Sequence, residues 1–506
     1  NGATLAFNRS DSYGGVFTLA LSGAGGVAVS AGTLTLQNTG NSFTGGVTVN
    51  GGTFRTLGNS AGSNIVVNSG GTFAMAGTDT WGSAGISSSP AVTVNSGGTL
   101  TSDGQFNSLR DLTLNGGTVS LNGGLNSATG AFVLGGTVTA GGSATSSITA
   151  ISGANNFIRL GREGTIQSTS FNVTNSSGVL NVGAVLTDNF GASIAGLTKT
   201  GSGKMVLSAA NTYTAGTTIS AGTLELANGG SVQGNITNNA TLSINRTDNS
   251  TLGNVVSGSG ALTKAGSGTA TLTASNTYSG ATAVNAGVLQ VASGGSIASS
   301  STSVNNGGTL DVAGRAGNVT VNSGGTLKGS GTVSALTIAS GGILAVGNST
   351  GILNSGSTSF LGGGNYDWEI DTFGGGVVGT NWDFLNITGD LTISASSGSQ
   401  FIIDVISLLS TSDTAGFAAN FNNGTNYTFA IATASGAING YAADAFSINT
   451  AAFQNSFTGT WGTSLSNDGK SLNLTYTAAT AIPEPSSVSL AVLGLGVLAL
   501  RRRRAR

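Results

Sequence analysis

The chain has 506 residues, among them 85 Gly and 3 Pro but no Cys and no His, with 7% charged and 38% hydrophobic residues and a net charge of −2. That composition excludes disulfides, thiolate or imidazole metal sites, thiol nucleophiles and histidine acid–base chemistry. It also excludes a disordered chain, because apolar residues are plentiful and charge is scarce, and without a basic face no nucleic-acid partner is expected.

The chain opens inside a repeat: "ATLAFNR" at 3–9 is matched by "ATLSINR" at 240–246. We expect an N-terminal coil and an export signal to precede Asn1, since an uncapped first coil leaves an open strand edge. Segments of one type follow: "VTVNGGTF" (47–54), "IVVNSGGTF" (65–73), "VTVNSGGTL" (92–100) and "LTLNGGTV" (112–119). Others come later: "TSVNNGGTL" (302–310), a second "VTVNSGGTL" (319–327) and "LTIASGGIL" (336–344). Apolar residues alternate with Thr at the period of a half-buried strand, and the Asn/Gly run ends each strand in a sharp turn.

The Gly before each second strand falls at Gly52, Gly71, Gly98, Gly117 and Gly136, then at Gly308, Gly325 and Gly342. Propeller blades are about twice as long as this spacing, and sandwiches do not repeat their sequence. A solenoid satisfies both facts: each repeat is one coil, like side chains stack in columns, and each coil is the template for the next. Roughly 17 coils at about 4.8 Å make a rod of about 80 Å.

Midway, "RLGREG" brings Arg159, Arg162 and Glu163 together, and reads as a solvated ion pair on a loop. A longer period then appears, with "LTKTGSGKMVLSAANTYTAGTTISAGTLELA" (197–227) matched by "LTKAGSGTATLTASNTYSGATAVNAGVLQVA" (262–292). Its Gly-x-Gly, Asn-Thr-Tyr-x-x-x-Thr and Gly-x-Leu elements resemble the passenger-associated transport repeats of autotransporter passenger domains. The resemblance implies an all-β, right-handed parallel β-helix on the cell exterior.

Residues 1–345 hold 11 basic against 9 acidic residues, whereas 346–480 hold Lys470 against nine acids. We place a boundary there, with a β-helix over 1–345, a β-rich acidic cap over 346–480 and a short helix around 415–421. In "YDWEIDTFGGG", Asp367, Glu369 and Asp371 share one strand face and Trp368 and Ile370 the other, a pattern open to weak cation binding. As an EF-hand loop it fails, having Thr372 at the sixth position and Val378 at the twelfth. Tyr366, Trp368, Trp382, Phe384 and Trp461 are expected to fill a small core.

The last part, 481–506, carries Pro483, Glu484 and Pro485, then the apolar run Val488, Leu490, Leu493, Leu495, Leu498 and Leu500, then Arg501, Arg502, Arg503 and Arg504. Val488 to Leu500 spans about 20 Å as a helix, short of a bilayer core of about 30 Å. Snorkelling arginines held on the cytoplasmic side extend it. This arrangement resembles the PEP-CTERM sorting signal of Gram-negative bacteria, which implies a transient inner-membrane anchor and processing by an exosortase-like enzyme. The autotransporter resemblance covers the repeats only, because no run of membrane-barrel strands follows them.

No catalytic or metal site and no cofactor is expected, since Asp103, Asp111, Glu163, Asp188, Glu225, Asp248 and Asp311 are scattered singly. The functional expectation is a non-enzymatic surface or matrix protein that contacts exopolysaccharide or neighbouring cells. The alternatives are a polysaccharide lyase or hydrolase and an ice- or crystal-binding solenoid.

Overall fold

The computed structural model describes residues 2–10, 16–58, 64–78, 90–151, 153, 155–161, 167–190 and 194–480. The architecture is all-β, a parallel β-helix with three faces. On the first face twelve strands, from Thr4–Asn8 through Gly26–Ala31 and Ala195–Thr200 to Val256–Ser257, stack in one sheet, spanning about 50 Å at parallel-strand spacing. A second face runs from Val16–Phe17 to Ile438–Asn439. The third includes Asn107–Leu109, Phe132–Leu134, Phe157–Leu160 and Val185–Thr187 and, later, Gly308–Val312 to Phe446–Asn449.

Like residues do pile into columns. Val27, Val47, Ile65, Val92, Leu112, Val138 and Phe171 are successive register partners on the first face, and all are buried. At the corners Asn115 donates to Asn95, Asn95 to Asn68 and Asn68 to Asn50, at 3.0, 2.7 and 2.7 Å. Asn322, Asn305 and Asn285 form a second such ladder at 2.8 and 2.7 Å. The amides inside the ladders, Asn68, Asn95 and Asn305, each bond the coils on both sides.

The faces are interchangeable. Val92, in the first "VTVNSGGTL", lies on the first face against Leu112; Val319, in its copy, lies on the second face against Leu336. Likewise Leu197 pairs with Thr217 on the first face, and Leu262 with Leu242 on the second. From Leu197 to Leu262 the chain makes three turns and one additional face. A segment is placed by the coil beneath it, not by an absolute side of the rod. Two strands, Arg315–Val321 and Thr332–Ile338, bend across a corner and pair on two faces at once.

Parallel pairing crosses the charge boundary near residue 345: Leu344 pairs with Tyr366, Asp367 with Asp404 and Asp404 with Asn449. Antiparallel pairing of Ser471–Thr477 with Tyr427–Ala434 and with Thr460–Leu465 then closes the stack. Aromatic rings fill that end, with Phe373 within 5.9 Å of Phe421, Tyr427, Phe429 and Phe453. Tyr366 and Trp368 are fully buried and Trp382 and Trp461 pack against the core, as a small-core role requires; Phe384, expected there too, instead takes the outward side of Phe384–Ile387, whose inward positions are Leu385 and Ile387.

The helix expected around 415–421 does not form. Ser412–Ala415 is a strand, and Ala419 exchanges backbone hydrogen bonds with Asp371 and Phe373, so its peptide groups are committed to a neighbouring segment. The terminal apolar run lies outside the described residues. Among the described residues no helix is long and apolar enough to cross a membrane.

Candidate binding surface and sorting tail

The repeat signature is structural chemistry. Asn211 accepts the Leu186 N–H at 2.9 Å and donates to the Ala209 and Ser231 carbonyls at 3.0 and 2.9 Å, stitching three successive windings. Asn276 repeats the pattern with Val256, Ala274 and Ser296. The tyrosines two residues on, Tyr213 and Tyr278, are fully buried and share 2.7 Å hydrogen bonds with Thr217 and Thr282.

The lysines of "LTK" read in the sequence as solvent residues, and the structure places them inside. Lys199 and Lys264 are fully buried, and each ammonium caps three carbonyls: Thr200, Gly201 and Ala221 at 2.7, 2.9 and 3.1 Å, and Ala265, Gly266 and Ala286 at 2.8, 2.7 and 3.1 Å. Burial pushes Lys199 down from 10.5 to about 8 and lowers Lys264 as well.

Between pH 8 and 10.5 the unfolded chain therefore binds more protons at Lys199 than the folded one, so stability rises with pH in that window and is flat below it. The rise is at most about 3 kcal/mol, because the three carbonyls favour the charged form and oppose burial. Urea midpoints at pH 7.5 and 10 should increase in the wild type and increase less in Lys199→Met.

The acidic residues of the repeats are dispersed. Asp103 pairs with Arg55, Asp111 with Arg110, Glu225 with Lys204 and Asp248 with Arg246. Asp311 receives a hydrogen bond from Gln290, and Asp188 accepts Ala195 N–H and both donors of Thr214. Arg162 and Glu163 lie outside the described residues. Among the described residues Arg159 donates to the carbonyls of Thr129 at 3.2 Å, Asp188 at 2.8 Å and Ala128, and stacks on Phe190 at 4.4 Å.

In the acidic strand, Asp367, Glu369 and Asp371 share the outer face and Trp368 and Ile370 the inner. They take separate partners. Asn365 bridges Asp367 and Asp404 at 2.9 and 2.7 Å, and Asn381 donates to Asp371 at 2.9 Å. Burial and the adjoining Asp404 carboxylate raise Asp367 to about 6. Among the described residues no three such side chains are placed to hold a metal ion.

Between these ion pairs the rod presents neutral, periodic rows outward. Thr33, Thr53, Thr72, Thr99, Thr118 and Ser147 form one hydroxyl column. Thr263, Ser303, Thr320, Thr337, Ser359 and Thr392 form a second, interrupted once by Ala283 between Thr263 and Ser303. Each step is about 4.8 Å. Pro483, Glu484 and Pro485, the run from Val488 to Leu500 and Arg501 to Arg504 lie outside the described residues.

Passenger-associated transport repeats match at residues 27–55, 197–226 and 262–291, and the PEP-CTERM protein-sorting motif matches at 481–505. Over 99 residues the chain is 41% identical to the "Adhesin BmaC autotransporter" of Brucella suis biovar 1 (strain 1330), a stretch covering 19% of this chain and 3% of that adhesin. The chain thus spans a small part of that relative's length. Among solved structures, a TibC-catalyzed hyper-glycosylated TibA55-350 fragment aligns over 83% of this chain and 98% of its own, at 17% identity and a TM-score of 0.19. The fold assignment rests on the strand register above.

Proposed function

We propose that this chain is an exported, non-enzymatic adhesive rod of a Gram-negative cell surface, whose neutral faces hold exopolysaccharide or a neighbouring cell. The observation that carries the reading is the pair of hydroxyl columns, which offer many identical weak contacts along one line. Such contacts add through effective concentration rather than through one tight pocket. The dispersal of the described repeat carboxylates into separate pairs supports a non-hydrolytic role, because glycoside hydrolysis canonically places two carboxylates at one bond.

In this reading residues 1–345 make the contacts, and the acidic 346–480 closes the rod and keeps its end from stacking on another. An exosortase-like enzyme recognises Pro483, Glu484 and Pro485 while Val488 to Leu500 and the following arginines hold the chain briefly in the inner membrane. Deleting 483–506 is expected to leave the chain folded but absent from the cell surface and the medium, as followed by fractionation. An unchanged distribution would refute the sorting role. Binding of the purified chain to polysaccharide-coated and bare surfaces tests the adhesive role separately.

A further inference from the structure

Between Asn107 and Thr187 the third face is built differently from the rest. Beside the loops that join its strands, Phe106 and Val133, with partly buried Phe190 packed on them, form a small apolar cluster separate from the main core. Arg159 clamps two of these loops through the carbonyls of Ala128, Thr129 and Asp188. A groove of about 360 Å³ remains beside the clamp, within the range of preformed small-molecule sites.

Its walls have two kinds of surface. Phe157 and Val185, register partners that both face outward, supply an apolar patch. Ser127, Asn155, Thr187 and Thr212 surround it, and among the described residues their side-chain hydroxyls and amide make no hydrogen bond. The charged member of the lining, Arg159, already donates to three carbonyls.

We propose that this groove binds a neutral saccharide of one or two hexose units, with a sugar C–H face on Phe157 and its hydroxyls paired to Ser127, Asn155, Thr187 and Thr212. An apolar floor ringed by unpaired neutral donors and acceptors matches a ligand that has a C–H face and a rim of hydroxyls. Among the described residues Arg159 is the cation of the lining, and three carbonyls already engage it. The proposal rests on the adhesive reading for the source of such a ligand, and it names one discrete site rather than the columns.

Saturation-transfer NMR on the full chain, with cellobiose, maltose, lactose and methyl mannoside at millimolar concentration and glucuronate as the charged comparison, tests it. At least one neutral probe should receive saturation, and Phe157→Ala and Thr187→Val should each weaken it at least tenfold. Ser127→Ala, which removes only a loop hydroxyl, keeps the test open if Phe157→Ala does not fold. Equal binding by the folded variants, or binding of glucuronate alone, overturns the proposal. A chain that coats polysaccharide surfaces yet gives no saturation overturns the groove alone, and one that does neither overturns the adhesive reading too.

Discussion

Replacing Gly308 with alanine is expected to destabilise the protein by about 3 kcal/mol or more, whereas the same change at the adjacent Gly307 should cost about 1 kcal/mol. The two glycines of the turn exist for different reasons. Gly307 has φ +78°, and a Cβ added there meets nothing within 4 Å, so only the backbone conformation is penalised. At Gly308 a Cβ would lie 2.3 Å from the Val284 oxygen and 2.9 Å from its carbon. Those atoms belong to the preceding coil, and they cannot retreat without separating Val284 from its ladder. Urea unfolding of the two variants should give a clearly lower midpoint for Gly308→Ala. The reverse order would mean that the coils are not in such close contact.

A second large effect is expected at the closing end. Trp368 is fully buried, its indole N–H donates to the Asp383 carbonyl at 2.8 Å, and its ring lies 5.5 Å from Phe429. Trp368→Ala should cost about 3–5 kcal/mol. In a stack of nearest-neighbour contacts the loss should also be local. Phe429 lies in the strand that Ser471–Thr477 closes over, so amide exchange should accelerate most in 427–434 and 471–477 and least in 92–121. Uniform acceleration would contradict a solenoid that opens from its end.

Much of this was legible in the sequence because the period is written in side chains. The alternation of Val and Thr, the recurring Asn and the paired glycines are read directly, and they reappear as columns and ladders. The outward placement of Asp367, Glu369 and Asp371 followed from a period of two. What was not legible depends on neighbours rather than on the segment itself. Lys199 reads as a solvent residue, and only the three carbonyls brought round it by the corner and the next coil make it internal. The one signal for it was that Lys264 repeats it in the same motif.

The shift in charge after residue 345 describes surface composition, and it does not mark a break in the backbone ladder, which runs on to Asn449. The helix expected at 415–421 failed for a related reason, since the apolar spacing there serves a backbone pairing with Asp371 and Phe373. Nor does any local pattern tell that equal segments lie on different faces. That offset is the accumulated length of every turn between them.

The stacking itself is most directly tested by cross-linking, because the chain has no cysteine of its own. Thr309 and Thr326 are register partners on adjacent coils, and Ile343 is the partner of Thr326 one coil further. Adjacent coils are about 4.8 Å apart, and a disulfide needs Cα atoms within about 7 Å. Oxidation of Thr309→Cys with Thr326→Cys should give a complete intramolecular disulfide by mass spectrometry, while Thr309→Cys with Ile343→Cys should give none. A disulfide in the second pair and none in the first would contradict the parallel coil-on-coil register.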